Sequence, residues 1–168
     1  MHGAGHGGWC YGRVAPLLRA AGHDVYSPTL TGLGERVHLL DDRVDLDMHV
    51  ADVVNVLRFE DLHDVTLVGH SYGGPVITGA ADRAPDRVGR LVYLDAAYVA
   101  DGQSVAEAIG GSVDALHAMA EKVDGVEVVL RPDDDGGPST GSRTPATRRG
   151  CAVAWWPSRG SASPNRCG

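Results

Sequence analysis

Gly69, Ser71 and Gly73 occupy alternate positions in the segment Val65-Thr-Leu-Val-Gly-His-Ser-Tyr-Gly-Gly74. A β-branched run leads into them, and a stretch compatible with a helix follows from Pro75. A serine on a tight turn between a strand and a helix is the arrangement of an activated nucleophile. Small flanking residues let the strand and helix approach, and the hydroxyl stands clear at the carboxyl end of the sheet. The following helix points its positive end at the same place. Ser71 is therefore the candidate nucleophile, and its chemistry needs a base to take the hydroxyl proton.

A second segment, His2-Gly-Ala-Gly-His-Gly-Gly-Trp9, precedes the first helix. A glycine-rich loop in that position can offer main-chain N–H groups to an anion. It lacks the lysine and hydroxyl residue of a phosphate-binding loop. His2 and His6 lie four apart, but on a loop and without further ligands at metal spacing, so no metal and no cofactor are expected. The reading that fits both segments is a pair of main-chain donors, Ala4 N–H and Tyr72 N–H, converging on an oxyanion. His6 and Trp9 then shape the loop.

The base is not assignable. His2, His6 and His70 belong to the two loops, and His23 and His63 sit beside predicted strand starts. His38 and His49 lie before and within a predicted helix, and His117 lies further on. Asp41, Asp42, Asp45 and Asp47 read as a solvated loop and helix start, since early acids favour the helix dipole. Asp133–Asp135 before Gly136-Gly137 reads as an exposed turn.

The elements that would position these residues alternate. Val14, Leu17, Leu18 and Ala21 have the spacing of one helical face, ended by Gly22. His23–Pro28 reads as a short strand. Val50, Val53, Val54 and Leu57 predict a second helix, Val65–Val68 a buried strand, Pro75–Ala84 a third helix and Val88–Leu94 another strand. Ser104–Ile109 and Ser112–Glu121 read as helices, and Val126–Leu130 as a strand. Strands separated by helices imply an α/β fold with a mostly parallel sheet.

Composition divides the chain near Gly137. Residues 1–137 hold all 22 acidic residues and ten basic ones, whereas residues 138–168 hold five Arg, no acid and no Leu, Ile, Met or Phe. The second part also carries Trp155, Trp156, Cys151 and Cys167, which are unusual in a solvated tail. A shifted reading frame in GC-rich DNA gives this mixture, so 138–168 is read as a non-native or disordered tail. The net charge of −7 argues against a nucleic-acid partner. No apolar run reaches membrane-spanning length, no signal segment is visible, and the three Cys lack zinc-like spacing. The expectation is a cytoplasmic protein with reduced thiols and no membrane partner; its oligomeric state is left open.

The motifs HGAGHGGW, SPTLTGLGERVHL, LVGHSYGG and LVYLDA, in that order, resemble the α/β-hydrolase superfamily. The likeness is to bacterial carboxylesterases of the pyrethroid-hydrolase and salicylate-esterase type, similar to plant methyl esterases and hydroxynitrile lyases, and it covers residues 2 to about 130. It implies a three-layer α/β-hydrolase fold and a serine carboxylic-ester hydrolase acting on a small-molecule ester, with a Ser-His-Asp triad, no cofactor, and a cap inserted near residue 96. Ser71 matches the nucleophile, and Ala4 and Tyr72 match the oxyanion donors. His70 and Gly3 differ from the residues the lyases carry, which favours hydrolysis over lyase chemistry. Asp95, at a strand end 24 residues after Ser71, lies where other members such as haloalkane dehalogenases place their acid; a turn cap is the alternative. The family's opening strand and its late Asp and His have no match here. The domain therefore reads as residues 1–137 of a hydrolase truncated at both ends, inactive as written, with a non-catalytic ligand-binding protein, a defective gene product or a lyase-like activity as the alternatives.

Overall fold

The computed structural model describes residues 1–108, residue 118 and the short segments 120–123, 126–129 and 153–154. Helices α1 (Ala15–Ala20), α2 (Leu46–Phe59), α3 (Gly73–Arg83) and α4 (Val105–Ala108) alternate with strands β1 (Val65–Ser71) and β2 (Val88–Ala96). Three further strands follow, β3 (Ala120–Val123), β4 (Val126–Val129) and β5 (Val153–Ala154).

β1 and β2 pair in parallel, joined through α3, as the strand–helix–strand pattern requires. α2 begins at Asp45, whose carboxylate accepts the Met48 N–H at 2.8 Å, so the acidic run does supply a helix cap. The predicted face of α2, Val50, Val53, Val54 and Leu57, is buried. It packs with Val76, Ile77 and Ala80 of α3, Leu67 of β1, and Leu30 and Leu33 from the preceding loop. This core fixes α2 and α3 on one face of the sheet and holds the β1–α3 junction. On the opposite side Val68, Val92 and Leu94 are partly exposed.

Four expectations need correction. His23–Pro28 forms no strand; a ladder needs a neighbour, and none lies beside it among the described residues. α1 forms, but its apolar spacing does not mark a buried face: Val14, Leu17 and Leu18 are exposed, Leu17 at 70%, and only Ala15 is buried. Ala120 and Glu121, placed in a helix by spacing, belong to β3, which pairs antiparallel with β4 from Val123↔Val126 outward. Asp124-Gly125 between them is a strong hairpin dipeptide, so the local turn chemistry outweighs the helical spacing. Val153 and Ala154, in the stretch expected to hold no strand, pair with Val129 and Val128. Residues 112–117 and 119, and the rest of 138–168, lie outside the described residues. No described helix is long and apolar enough to cross a membrane.

Candidate active site

β1 runs to Ser71 and α3 begins two residues later. Ser71 has φ +52°, the left-handed region that an L-residue enters only when its surroundings impose it. The sequence imposes it through close packing. A Cβ on Gly69 would lie 2.6 Å from Gly73 O, and one on Gly73 would lie 2.7 Å from Met1 O. The glycines on either side of the serine are thus there because strand, helix and N-terminal loop approach too closely for side chains.

The N-terminal loop lies directly against this turn. Met1 N donates to Val68 O, and Met1 O accepts from His70 N–H at 3.0 Å. These are the two bonds of a parallel neighbour strand. Tyr11 donates its hydroxyl to the same Met1 carbonyl at 2.7 Å. A Cβ on Gly3 would stand 3.0 Å from Ser71 Cβ and 3.1 Å from His70 Nδ1, so the residue before Ala4 touches the serine. Among the described residues, the main-chain bonds outside helices and strands use neither the Ala4 N–H nor the Tyr72 N–H.

Buried histidines brace the loops. His2 is fully buried; its Nδ1–H donates to Gly3 O at 2.9 Å, and its Nε2 accepts from Leu30 N–H at 3.1 Å. Because a carbonyl only accepts, the proton must sit on Nδ1. Burial lowers the His2 pKa to about 4. His6 donates from Nδ1 to Ala4 O at 3.0 Å and stacks obliquely on Trp9, the loop-shaping pair. His49 carries the opposite tautomer: Nε2–H donates to Thr31 O at 2.9 Å, and Nδ1 accepts from Tyr72 O–H at 2.9 Å. Burial lowers its pKa. None of the hydrogen bonds made by these imidazoles reaches Ser71 Oγ. His63 is exposed beside Asp61 and Arg87, and His117 lies outside the described residues.

Asp95 sits close to Ser71 in the sheet. The register steps from His70↔Leu94 to Ser71↔Ala96, which leaves Asp95 as the extra residue of a bulge, with φ +44°. Its side chain is exposed, and Ala97 N–H donates to Ser71 O just beyond it at 3.1 Å. Nucleophile and acid candidate are therefore brought together on neighbouring strands. His49 is the contact sequence reasoning missed. It falls at the fourth helical position of α2, on the same face as Asp52 and Val53, which was the available signal.

Across residues 1–164 the chain matches the family model described as alpha/beta hydrolase family. The chain belongs to this family. Among curated proteins it is 53% identical over 105 residues to the carbendazim hydrolyzing esterase of a Nocardioides species, covering 62% of this chain and 43% of that protein. It is 39% identical to the pyrethroid hydrolase of Sphingobium wenxiniae, covering 61% and 36%. A pFDCC methylesterase of Arabidopsis thaliana is 38% identical, with 61% and 39% covered. Among solved structures, an extracellular alpha/beta-hydrolase from a Paenibacillus species superposes with a TM-score of 0.62 at 34% identity, covering 71% of this chain and 47% of that one. The chain thus spans less than half the length of these relatives, and it represents part of the α/β-hydrolase fold.

Proposed function

We propose that this chain carries the nucleophile half of a serine carboxylic-ester hydrolase acting on a small-molecule ester. Ser71 Oγ attacks the ester carbonyl, while the Ala4 and Tyr72 main-chain N–H groups hold the oxyanion. A histidine takes the serine proton and returns it to the leaving alcohol, and water then releases the acyl group. The observation that carries this reading is Ser71 in a left-handed conformation at the β1–α3 junction, with the Gly3-Ala4 loop packed on it. The two unused N–H groups support it. So do the names of the relatives, an esterase, a hydrolase and a methylesterase.

In this reading His2, His6 and His49 act as braces, and Asp95 would serve as the partner of a base supplied from elsewhere. The chain alone is therefore inactive in this reading. Oxyanion and binding effects without a triad leave about 10³–10⁴-fold over water. Purified chain should hydrolyse p-nitrophenyl acetate negligibly, and Ser71→Ala should change nothing. Restoring an alternative reading frame after codon 137 should add a late Asp and then a late His and bring turnover that Ser71→Ala abolishes. A reconstructed protein that folds and cleaves no ester would end the esterase reading in favour of ligand binding. Serine-dependent turnover by the present chain would end the claim that it is inactive.

A further inference from the structure

We propose that His49 is a positioning residue that, through the Tyr72 hydroxyl, fixes the Tyr72 main-chain N–H beside Ser71. This rests on the oxyanion role given to that N–H above. The Tyr72 backbone joins a strained serine to the first residue of α3, and no side chain caps that helix start. Its ring is anchored instead at the far end. The hydroxyl donates to His49 Nδ1 at 2.9 Å, with the two rings edge-on at 5.7 Å. Burial raises the Tyr72 pKa, which keeps the hydroxyl a donor.

The anchor is itself held. His49 is 3% exposed and uses its other nitrogen on Thr31 O. Asp52, one turn further along the same face of α2, accepts from Thr31 N–H at 2.6 Å and from the Thr31 hydroxyl at 2.9 Å. Arg36 lies 3.5 Å from Asp52 and donates to Thr29 O at 2.8 Å. The Thr29 hydroxyl then accepts the Gly8 N–H at 2.7 Å. A connected path runs from Tyr72 through α2 and residues 29–31 into the loop that carries Ala4. Both proposed oxyanion donors are thereby referred to one partly buried polar network. A histidine serving stability alone would need a satisfied partner for each nitrogen. It would not need that partner to be the side chain of the residue after the nucleophile.

The test uses the full chain and phenylboronic acid, whose boron accepts the Ser71 oxygen to give a tetrahedral anion while the serine proton passes to solvent. Binding is followed by amide NMR at 15 °C, alongside the thermal midpoint. Wild type should bind, with shifts at Ser71 and at the residue-72 amide. Tyr72→Phe, which removes one oxygen and keeps the ring, should weaken binding about tenfold or more, with the residue-72 amide losing order while the Leu57 and Ile77 amides keep theirs. His49→Leu should do the same, and the two variants combined should cost little more than either. Variants that melt earlier yet bind as wild type does would overturn the positioning role and leave the oxyanion reading intact. A folded wild type that binds no boronic acid would overturn the oxyanion reading, and this inference with it. If His49→Leu does not fold, Tyr72→Phe alone decides.

Discussion

Acid should weaken this fold through His2. The imidazole is fully buried, donates from Nδ1 to Gly3 O and accepts at Nε2 from Leu30 N–H. A second ring proton would place one donor against another. The pKa falls from 6.5 to about 4, chiefly through desolvation. A depressed folded pKa means that between pH 6.5 and pH 4 the unfolded chain binds a proton the folded chain refuses, so stability is lost as pH falls through that window. At about 1.4 kcal/mol per unit the full window is worth about 3 kcal/mol, of which about 2 is lost between pH 7 and pH 5. His49 is shifted in the same direction by burial and adds to the effect. Hydrogen bonds from Arg43 to Asp41, from Arg87 and His63 to Asp61, and from Ser104 to Glu107 hold those three carboxyls below the ordinary carboxylate range. Urea denaturation followed by circular dichroism at pH 7 and pH 5 reads the loss directly, and NMR titration of the His2 ring gives its midpoint. A folded chain whose His2 titrates near 6.5, or whose urea midpoint is the same at both pH values, would refute the argument.

Gly69→Ala should lower stability by about 1–3 kcal/mol, because the new methyl meets Gly73 O at 2.6 Å, a backbone atom that cannot rotate away; a thermal midpoint equal to wild type would contradict this. Asp45→Ala removes the acceptor of the Met48 N–H and should cost about 1 kcal/mol, seen as a lower urea midpoint with an unchanged slope. Leu17, Phe59, Leu94 and Tyr98 are 70%, 85%, 53% and 71% exposed, so the isolated chain should bind a hydrophobic dye and self-associate as concentration rises. A monomer in sedimentation with no dye binding would show that these side chains are covered by other parts of the chain.

What the sequence disclosed and what it hid differ in physical kind. Val50, Val53, Val54 and Leu57 are buried as spaced because a helix that meets one core has its inward face written in its own period. The β1 turn was legible for a similar reason: glycines at 69 and 73 answer steric contacts that few other residues survive. α1 has an equally good apolar period and does not bury it. Periodicity says which face could be buried but not what lies opposite. His23–Pro28 fails as a strand for the same reason, since its local propensity was adequate and no strand among the described residues pairs with it.

The polar side of the site was least legible because its logic is relational. In the sequence His2 and His6 read as loop residues, with His6 shaping the loop beside Trp9, and His49 as one of eight histidines among which no base could be assigned. In the fold each is defined by the main-chain group it faces: Gly3 O and Leu30 N–H, Ala4 O, and Thr31 O. Carbonyls fix the tautomers, and the tautomers decide which nitrogen remains to accept. For His2 and His49 that acceptor is already occupied, by a main-chain N–H and by a tyrosine hydroxyl. An imidazole whose lone pair is engaged inside the core, with a pKa lowered by burial, is a poor proton acceptor for a half-buried serine and a good ruler for the backbone around it. In the proposed reading His2, His6 and His49 therefore set the position of the nucleophile and its donors, and the base that would activate Ser71 comes from outside this braced set.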